Sequence, residues 1–226
     1  MRVVLARLVA DAMLVAGLAF AAAGTLEWWR AWVLAAVMLA VRTASAVAAY
    51  RVNPALLRER ARPPVHGDQP WSDRLLLLAV LTTGFVGLPL VAGLDVFRWR
   101  ALPRPAPPLA ALGLALFALG WGLKGLALRA NAFATAVLRV QRERAHVVVD
   151  AGVYGVVRHP FYAGTPLVFV GMGLWLGSYA AVLCAAVPTA CVVARLVREE
   201  RFLRRELPGY DAYAARVPYR LVPGVW

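Results

Sequence analysis

The chain has 226 residues, of which 62% are hydrophobic and 16% charged, and its formal net charge is +13 at pH 7. Soluble domains are nearer half apolar and a quarter charged, so this composition excludes an ordinary soluble domain. The positive charge does not indicate nucleic-acid binding, because the Arg residues cluster in the connections between apolar segments. We therefore expect an integral, multi-pass membrane protein that contacts anionic membrane lipids and binds no nucleic acid.

Four membrane-spanning helices are predicted in the amino-terminal part of the chain, residues 1–130. The third contains a run of twenty residues without a charge, Leu75 to Leu94. Uncharged apolar runs of about 18 residues or more are typical of transmembrane helices. The predicted spans are Val3–Ala23, Trp28–Ala49, Arg74–Leu94 and Pro107–Leu128. The charged side chains Arg42 and Lys124 lie near the ends of these spans, where snorkelling to the interface explains them.

The carboxy-terminal part, residues 131–226, begins with a polar segment that is too charged to span. The next stretch, from Phe161 to Ala194, has 34 residues without a charge. As one helix it would be about 51 Å long, against a hydrocarbon core of about 30 Å, so it must turn back. The best turn is Gly177-Ser178-Tyr179, which leaves two arms of about 24 Å each. Such short arms favour a compact or partly re-entrant hairpin, followed by an Arg-rich helix and a tail.

The distribution of Arg residues favours one orientation in the membrane. With both termini in the cytoplasm, the Arg-rich connections after the second and fourth spans and the Arg-rich tail would share the cytoplasmic side. The connection with Arg98, Arg100 and Arg104 would lie opposite and argues mildly against this orientation. The expected fold is therefore all-α, a polytopic helical bundle with a carboxy-terminal helical hairpin.

Charged residues stand at both ends of the predicted hairpin. Arg158 and His159 come directly before it, and the proline that follows them suits the first turn of a helix. Arg195 and Glu199 lie at its other end on one helix face, with Glu200 beside them. Because the turn brings the two ends together, we expect a mixed-charge cluster at one membrane depth, which is a candidate site. Headgroup anchoring and a simple intrahelical ion pair are the alternatives.

The motifs GVY, RHPFYAG, EERFL and YDAYAARVP occur in this order in the carboxy-terminal part. Together they resemble the isoprenylcysteine carboxyl methyltransferase family, which is related to the phospholipid methyltransferases. The resemblance covers about residues 131–223 and none of the first four spans. It implies an S-adenosylmethionine-dependent methyltransferase without a Rossmann domain. The orientation favoured by the Arg residues would place the cofactor pocket on the cytoplasmic side.

The resemblance also implies individual site residues. The cofactor contacts would be Gln141, His146, Val147, Val148, Val149, Tyr154, His159, Pro160, Phe161, Tyr162 and Glu199. Arg195 would meet the methyl acceptor, with Arg158 as a second candidate. If the acceptor is an amine or a thiol, a base is also needed, and Glu200 and His146 are the candidates. No metal is expected, because the histidines have no Cys or acidic partner at ligand spacing.

The physical chemistry of these residue types agrees with the implied roles. Tyrosine faces favour a cation such as the sulfonium, Glu199 can accept hydrogen bonds from an ammonium group, and Arg195 can hold a carboxylate. The acceptor would be a lipophilic small molecule or a prenylated substrate that arrives through the bilayer. Two alternatives remain, a membrane reductase resembling the sterol reductases, which share an RHP–aromatic hairpin but bind NADPH, and a non-catalytic lipid-binding scaffold.

Overall fold

The computed structural model describes residues 1–60, 70–135, 141, 144 and 146–226, and in this part of the chain the regular secondary structure is entirely helical. The helices are α1 (Arg2–Ala23), α2 (Trp29–Val52), α3 (Pro54–Arg60), α4 (Trp71–Trp99), α5 (Pro107–Ala130), α6 (Pro160–Leu176), α7 (Tyr179–Glu206) and α8 (Tyr210–Arg216). A 3-10 turn, Gly152–Gly155, lies shortly before α6. The prediction of an all-α fold is confirmed.

Helices α1, α2, α4, α5 and α7 are long and apolar enough to cross a membrane. Four of them, α1, α2, α4 and α5, correspond to the four predicted amino-terminal spans, although α4 extends beyond the predicted end at Leu94. It continues because the Asp95 carboxylate is satisfied inside the bundle, where it accepts hydrogen bonds from the Ser178 hydroxyl at 2.7 Å and the Ala101 N–H at 3.1 Å. A paired carboxylate does not have to leave the apolar environment, so it does not end the span.

The predicted turn between the arms of the hairpin is confirmed at Gly177. This residue has a φ of 87°, a left-handed conformation that glycine adopts without strain, and Ser178 caps the start of α7. Close to the turn, the Trp175 indole donates to the Arg30 carbonyl at 2.7 Å. The turn therefore lies level with the beginning of α2 and, through Ser178 and Asp95, with the end of α4. The first arm, α6, has 17 residues and is shorter than the helices that are long enough to cross a membrane, in line with the expected short arms.

Helices α5 and α6 make the closest contact in the bundle. A Cβ atom placed on Gly120 would lie 2.7 Å from the Gly164 carbonyl oxygen, and one placed on Gly164 would lie 2.5 Å from the Gly120 oxygen. Small residues allow this backbone approach, as is common between helices in membranes. The fourth span thereby fixes the first arm of the hairpin, whose amino-terminal end carries the polar motif residues.

One end of the bundle, here called the polar end, gathers the starts of α1, α4 and α6 and the ends of α2, α5 and α7. Arg7 of α1 donates to the Arg60 carbonyl at 3.3 Å, and Arg60 donates to the Ala134 carbonyl at 2.5 Å. Lys124 of α5 donates to the carbonyl oxygen of Phe161 at 3.0 Å. The polar end is therefore where the amino-terminal spans and the motif-bearing segment meet.

Candidate functional site

A cavity of about 580 Å³ extends inward from the polar end. Its volume lies within the range of about 300–1,000 Å³ that is usual for small-molecule sites. Every helix from α1 to α8 contributes to its wall. The polar part of the lining comes from the motif-bearing segment and from charged residues of the amino-terminal part, such as Arg42 and Lys124. The apolar part includes Val15, Met38, Val80, Phe85 and Phe169. A polar molecule and an apolar molecule could therefore both find suitable contacts in the same cavity.

Most of the predicted site residues line this cavity. They are His146, Val147, Val148, Val149, Tyr154, Arg158, His159, Phe161, Tyr162, Arg195 and Glu199. Three predicted site residues are not among the described residues that line the cavity: Gln141, Pro160 and Glu200. The resemblance thus selected a set of side chains that the fold brings to a common wall.

The two ends of the hairpin meet as predicted. The Tyr162 hydroxyl donates to the Glu199 carboxylate at 2.5 Å, and the Arg158 guanidinium donates to the Glu200 carboxylate at 2.9 Å. Each bond joins the start of α6 to the last part of α7, across the turn near Gly177. The mixed-charge cluster expected from the sequence is therefore present.

The neighbouring carboxylates Glu199 and Glu200 face different surroundings, because consecutive helical residues point about 100° apart. Glu199 lines the cavity, whereas Glu200 is 3% exposed and is bound by three arginines. Its oxygens accept from Arg158 at 2.9 Å, Arg204 at 3.1 Å and Arg220 at 2.6 Å. A carboxylate held by three cations is a weak base, so this geometry gives no support to Glu200 as the catalytic base.

Arg158 mainly holds the carboxy-terminal tail. One of its guanidinium nitrogens donates to the carbonyls of Val217 and Pro218, both at 2.7 Å, and its backbone N–H donates to the Tyr219 carbonyl at 2.9 Å. The adjoining His159 N–H donates to the Arg220 carbonyl at 3.0 Å. The tail is thus paired with the segment that starts α6, and Arg158 has few donors left for a substrate.

Arg195 has a carboxylate partner that the sequence did not reveal. Its Nε donates to Asp73 Oδ1 at 2.8 Å and its Nη2 to Oδ2 at 3.3 Å, across 122 positions of the chain. The guanidinium carbon lies 6.0 Å from the centre of the Tyr162 ring. Asp73 is 3% exposed and lies at the start of α4, one residue before the predicted span began. The pair fixes an oriented cation beside Tyr162 and Glu199.

Lys124 and Arg42 were expected to snorkel to the interface, and this expectation is wrong. Lys124 is 7% exposed and lines the cavity, where its Nζ donates to the Phe161 carbonyl and to Thr165 Oγ1. Arg42 also lines the cavity and pairs with Asp11 at 2.6 Å. The hydropathy of the sequence could not reveal that Lys124 and Arg42 line the cavity, because hydropathy does not indicate which face of a helix packs against the rest of the bundle.

Gln141 supports the cavity wall from behind. It is fully buried, its amide donates to the Phe133 carbonyl at 2.9 Å, and its amide oxygen accepts from Arg144 at 2.7 Å. The ring of Phe133 in turn stacks on His146 at 4.3 Å between ring centres, and both rings line the cavity. Gln141 therefore positions a lining histidine rather than facing the cavity itself.

Tyr154 presents its ring to the cavity from the 3-10 turn before α6. Its carbonyl accepts a hydrogen bond from the buried Tyr213 hydroxyl at 2.8 Å, which ties the turn to α8. Burial raises the pKa of Tyr154 to about 12, so its phenol stays neutral at physiological pH. A neutral aromatic ring at this position can face a cation without adding a charge of its own.

Comparison with known proteins places these residues in a family context. The phospholipid methyltransferase family model matches residues 109–208. Protein-S-isoprenylcysteine O-methyltransferase B of Arabidopsis thaliana is 33% identical over 109 residues, which are 47% of this chain and 55% of that protein. The chain is therefore similar in sequence, over about half of its length, to an isoprenylcysteine O-methyltransferase. It spans about half the length of this curated relative.

The isoprenylcysteine carboxyl methyltransferase fold is also found among solved structures. The solved structure of the eukaryotic intramembrane Ras methyltransferase, an isoprenylcysteine carboxyl methyltransferase, superposes on this chain with a TM-score of 0.55 and 21% sequence identity. The match covers 95% of this chain and 74% of the Ras methyltransferase. The likeness therefore extends to the fold of the amino-terminal spans, in which the sequence showed no motif. The family model, by contrast, begins within α5 and ends just after α7.

Proposed function

We propose that this protein is a membrane methyltransferase that uses S-adenosylmethionine and methylates a lipophilic acceptor. The observation that carries the proposal is the single cavity in which Tyr162, Glu199 and Arg195 share a wall with apolar side chains of the amino-terminal spans. A polar, charged cofactor and a membrane-dissolved acceptor must meet in such a cavity if a methyl group is to pass between them. The relationship to O-methyltransferases supports the same reaction class.

The residues of the polar wall fit the chemical groups of the cofactor. S-adenosylmethionine supplies a methyl group on a positively charged sulfonium. Glu199 would accept hydrogen bonds from its ammonium or ribose hydroxyls, and His159 would bind its carboxylate or ribose. The rings of Tyr154 and Tyr162 would face the cation, and the backbone of His146–Val149 would line the remaining side. The hydrogen bond between Tyr162 and Glu199 holds both side chains in place.

Arg195 would orient the acceptor. Its pairing with Asp73 fixes the orientation of a guanidinium that lines the cavity. A carboxylate acceptor held there needs no base, since its oxygen is already the nucleophile. In such a displacement the protein contributes mainly alignment and exclusion of water, and good alignment can supply roughly 7–11 kcal/mol. A prenylated cysteine carboxylate and a lipid-like small acid both fit this description.

We further propose that the polar end faces the cytoplasm. The opposite end carries Arg30, Arg98, Arg100 and Arg104, whereas the starts of α1 and α4 and the ends of α2, α5 and α7 carry a larger number of arginines. An excess of Lys and Arg beside the ends of spans favours the cytoplasmic side. The cofactor would then enter from water at the polar end, and the acceptor would enter from the bilayer.

The direct test measures binding of S-adenosylmethionine and of NADPH to the full chain purified in a nonionic detergent. We expect S-adenosylmethionine to bind and NADPH not to bind. Glu199→Ala should abolish S-adenosylmethionine binding, whereas Glu27→Ala, an exposed carboxylate in the connection between α1 and α2, should leave it unchanged. Binding of NADPH alone would indicate a reductase, and binding of neither ligand would indicate a scaffold. Unaltered affinity in Glu199→Ala would remove the site assignment.

A second measurement addresses turnover with a prenylated cysteine as acceptor. Arg195→Ala should retain cofactor binding and lose most methyl transfer, because the side chain is expected to hold the acceptor rather than the cofactor. Loss of cofactor binding in this variant would instead assign Arg195 to the cofactor.

A further inference from the structure

Two cations of the cavity wall, Arg60 and Lys124, contact Phe161, which adjoins Tyr162. Lys124 donates to the Phe161 carbonyl at 3.0 Å and to Thr165 Oγ1 at 2.7 Å, both of which are uncharged. Its Nζ lies 4.0 Å from the centre of the Phe161 ring. The guanidinium carbon of Arg60 lies 4.8 Å from the centre of the same ring, and Arg60 donates to the Ala134 carbonyl. We call Arg60 and Lys124 the cation cluster.

The other charged groups of the wall already have partners. Arg42 pairs with Asp11 at 2.6 Å. Arg195 pairs with Asp73, and Arg158 pairs with Glu200. The remaining lining carboxylate, Glu199, accepts from Tyr162 on the opposite hairpin arm.

Within the described part of the chain, no carboxylate neutralises Lys124 or Arg60. Lys124 is 7% exposed, and Arg60 keeps partial exposure because it lines the cavity. Desolvation lowers the pKa of Arg60 to about 10, which still leaves it charged at neutral pH. A charge held inside a membrane protein without a counter-ion is costly, and such residues commonly mark the path of a ligand.

Lys124 of the cation cluster and the proposed methyl-transfer position lie on different faces of α6, whereas Arg60 is close enough to Tyr162 and Arg195 to interact with them electrostatically. Phe161 and Thr165 are four residues apart and therefore lie on one helix face, which faces Lys124. Tyr162, which contacts Glu199 and lies beside Arg195, points about 100° away. An anion bound by the cluster would thus be separate from the group that Arg195 orients.

We propose that the cation cluster binds an anionic group of the acceptor, a carboxylate or a phosphate, which is distinct from the group that is methylated. This inference rests on the proposed function, because it names the class of acceptor, an acidic amphiphile. The apolar chain of the acceptor would lie against the wall formed by residues such as Val80, Phe85 and Phe169. Lys124 and Arg60 would select the acceptor by its charge, and the apolar wall would select it by its chain.

The test compares dodecanoate, dodecyl phosphate and dodecanol for binding to the full chain in a nonionic detergent. We expect the anionic probes to bind at least about tenfold more tightly than dodecanol, because a charge-assisted hydrogen bond contributes more than a neutral one. Preference between the two anionic probes tells whether a carboxylate or a phosphate is recognised. Equal binding of dodecanol would overturn the proposal, and this comparison requires no variant.

Substitutions test whether the cation cluster is responsible for the binding of the anionic probes. Lys124→Gln and Arg60→Gln should each weaken dodecanoate or dodecyl phosphate binding by about tenfold. Arg129→Gln, which removes an exposed charge from the same helix as Lys124, should leave it unchanged. An equal loss in Arg129→Gln would mean that general surface charge attracts the probe, and the proposal would then be wrong.

Binding of S-adenosylmethionine to the same variants separates this inference from the proposed function. Lys124→Gln should bind the cofactor as the unaltered chain does. If its cofactor affinity falls instead, the cluster holds the carboxylate of the cofactor and the acceptor assignment is overturned. Failure of the unaltered chain to bind the cofactor would contradict the proposed function alone, since the measured preference for anionic probes would be unaffected.

Discussion

The two parts of the molecule differ in how their sequence relates to the site. The carboxy-terminal part, residues 131–226, carries recognisable motifs, and its residues are joined by the hydrogen bonds of Tyr162, Arg158 and their glutamate partners. The amino-terminal spans carry no such motif, yet they provide much of the apolar cavity wall and the partner of Arg195. The cavity is therefore built from both sides of the predicted division at residue 130.

This difference indicates that the two parts of the chain contribute differently to the site. Under the proposed function, the motif-bearing part would hold the cofactor and, through Arg195, orient the acceptor. The amino-terminal spans would contact the apolar part of the acceptor. Substitutions in the two parts should accordingly have different effects, and the following predictions are arranged from the largest expected effect to the smallest.

The strongest contrast is expected between the adjacent glutamates. Glu200→Gln should lower the free energy of unfolding by roughly 3–5 kcal/mol, because removing one partner leaves the buried Arg158 charge uncompensated. Glu199→Gln should leave stability nearly unchanged and should lose cofactor binding. Thermal unfolding and S-adenosylmethionine titration of both variants check this. Loss of binding in a folded Glu200→Gln protein, with binding retained in Glu199→Gln, would reverse the two assignments.

The second prediction concerns the contact between the two parts. Asp73→Asn should destabilise the protein by about 3 kcal/mol, the lower end of the range for breaking a buried pair, because Glu199 remains close to Arg195. As a positioning residue, Asp73 should also affect kcat more than cofactor affinity. Asp73→Glu should recover part of the stability. A variant with reduced stability but unchanged kcat would show that Asp73 has a purely structural role.

Much of the fold follows from the sequence because apolar length and turn chemistry are local properties. The uncharged run around Gly177 demanded a reversal, and its glycine could supply the left-handed turn. The pair between Asp73 and Arg195 could not be predicted, because 122 positions separate them and no local pattern marks the contact. For the same reason Lys124 was assigned to the interface. Its burial depends on the packing of α5 against α6, which hydropathy does not encode.

The third prediction tests the packing that joins the fourth span to the hairpin. Gly120→Ala should destabilise by about 1–3 kcal/mol, because its Cβ would lie 2.7 Å from the Gly164 oxygen. Gly122→Ala is the matched control, since a Cβ at that position has no heavy atom within 4 Å. It should be neutral or stabilising by up to about 1 kcal/mol, the helix propensity gained over glycine. Equal effects of the two substitutions in thermal unfolding would contradict the close α5–α6 contact.

The smallest effect is expected at Tyr154, where the aromatic face rather than the hydroxyl is proposed to meet the cofactor. Tyr154→Phe should change S-adenosylmethionine affinity by less than about threefold, whereas Tyr154→Leu should weaken it more, because only the latter removes the aromatic face.

The titration of Tyr154 gives this prediction a second measurement. Its folded pKa of about 12 lies above the unfolded value of about 10, so the neutral phenol contributes stability that is fully present below about pH 10 and is lost as the pH rises through 12. Between about pH 7 and 9, cofactor affinity should therefore depend on pH in the same way in the unaltered chain and in Tyr154→Phe. A pH dependence in that range that disappears in the variant would mean that the hydroxyl itself titrates at the site, and that it contacts the cofactor directly.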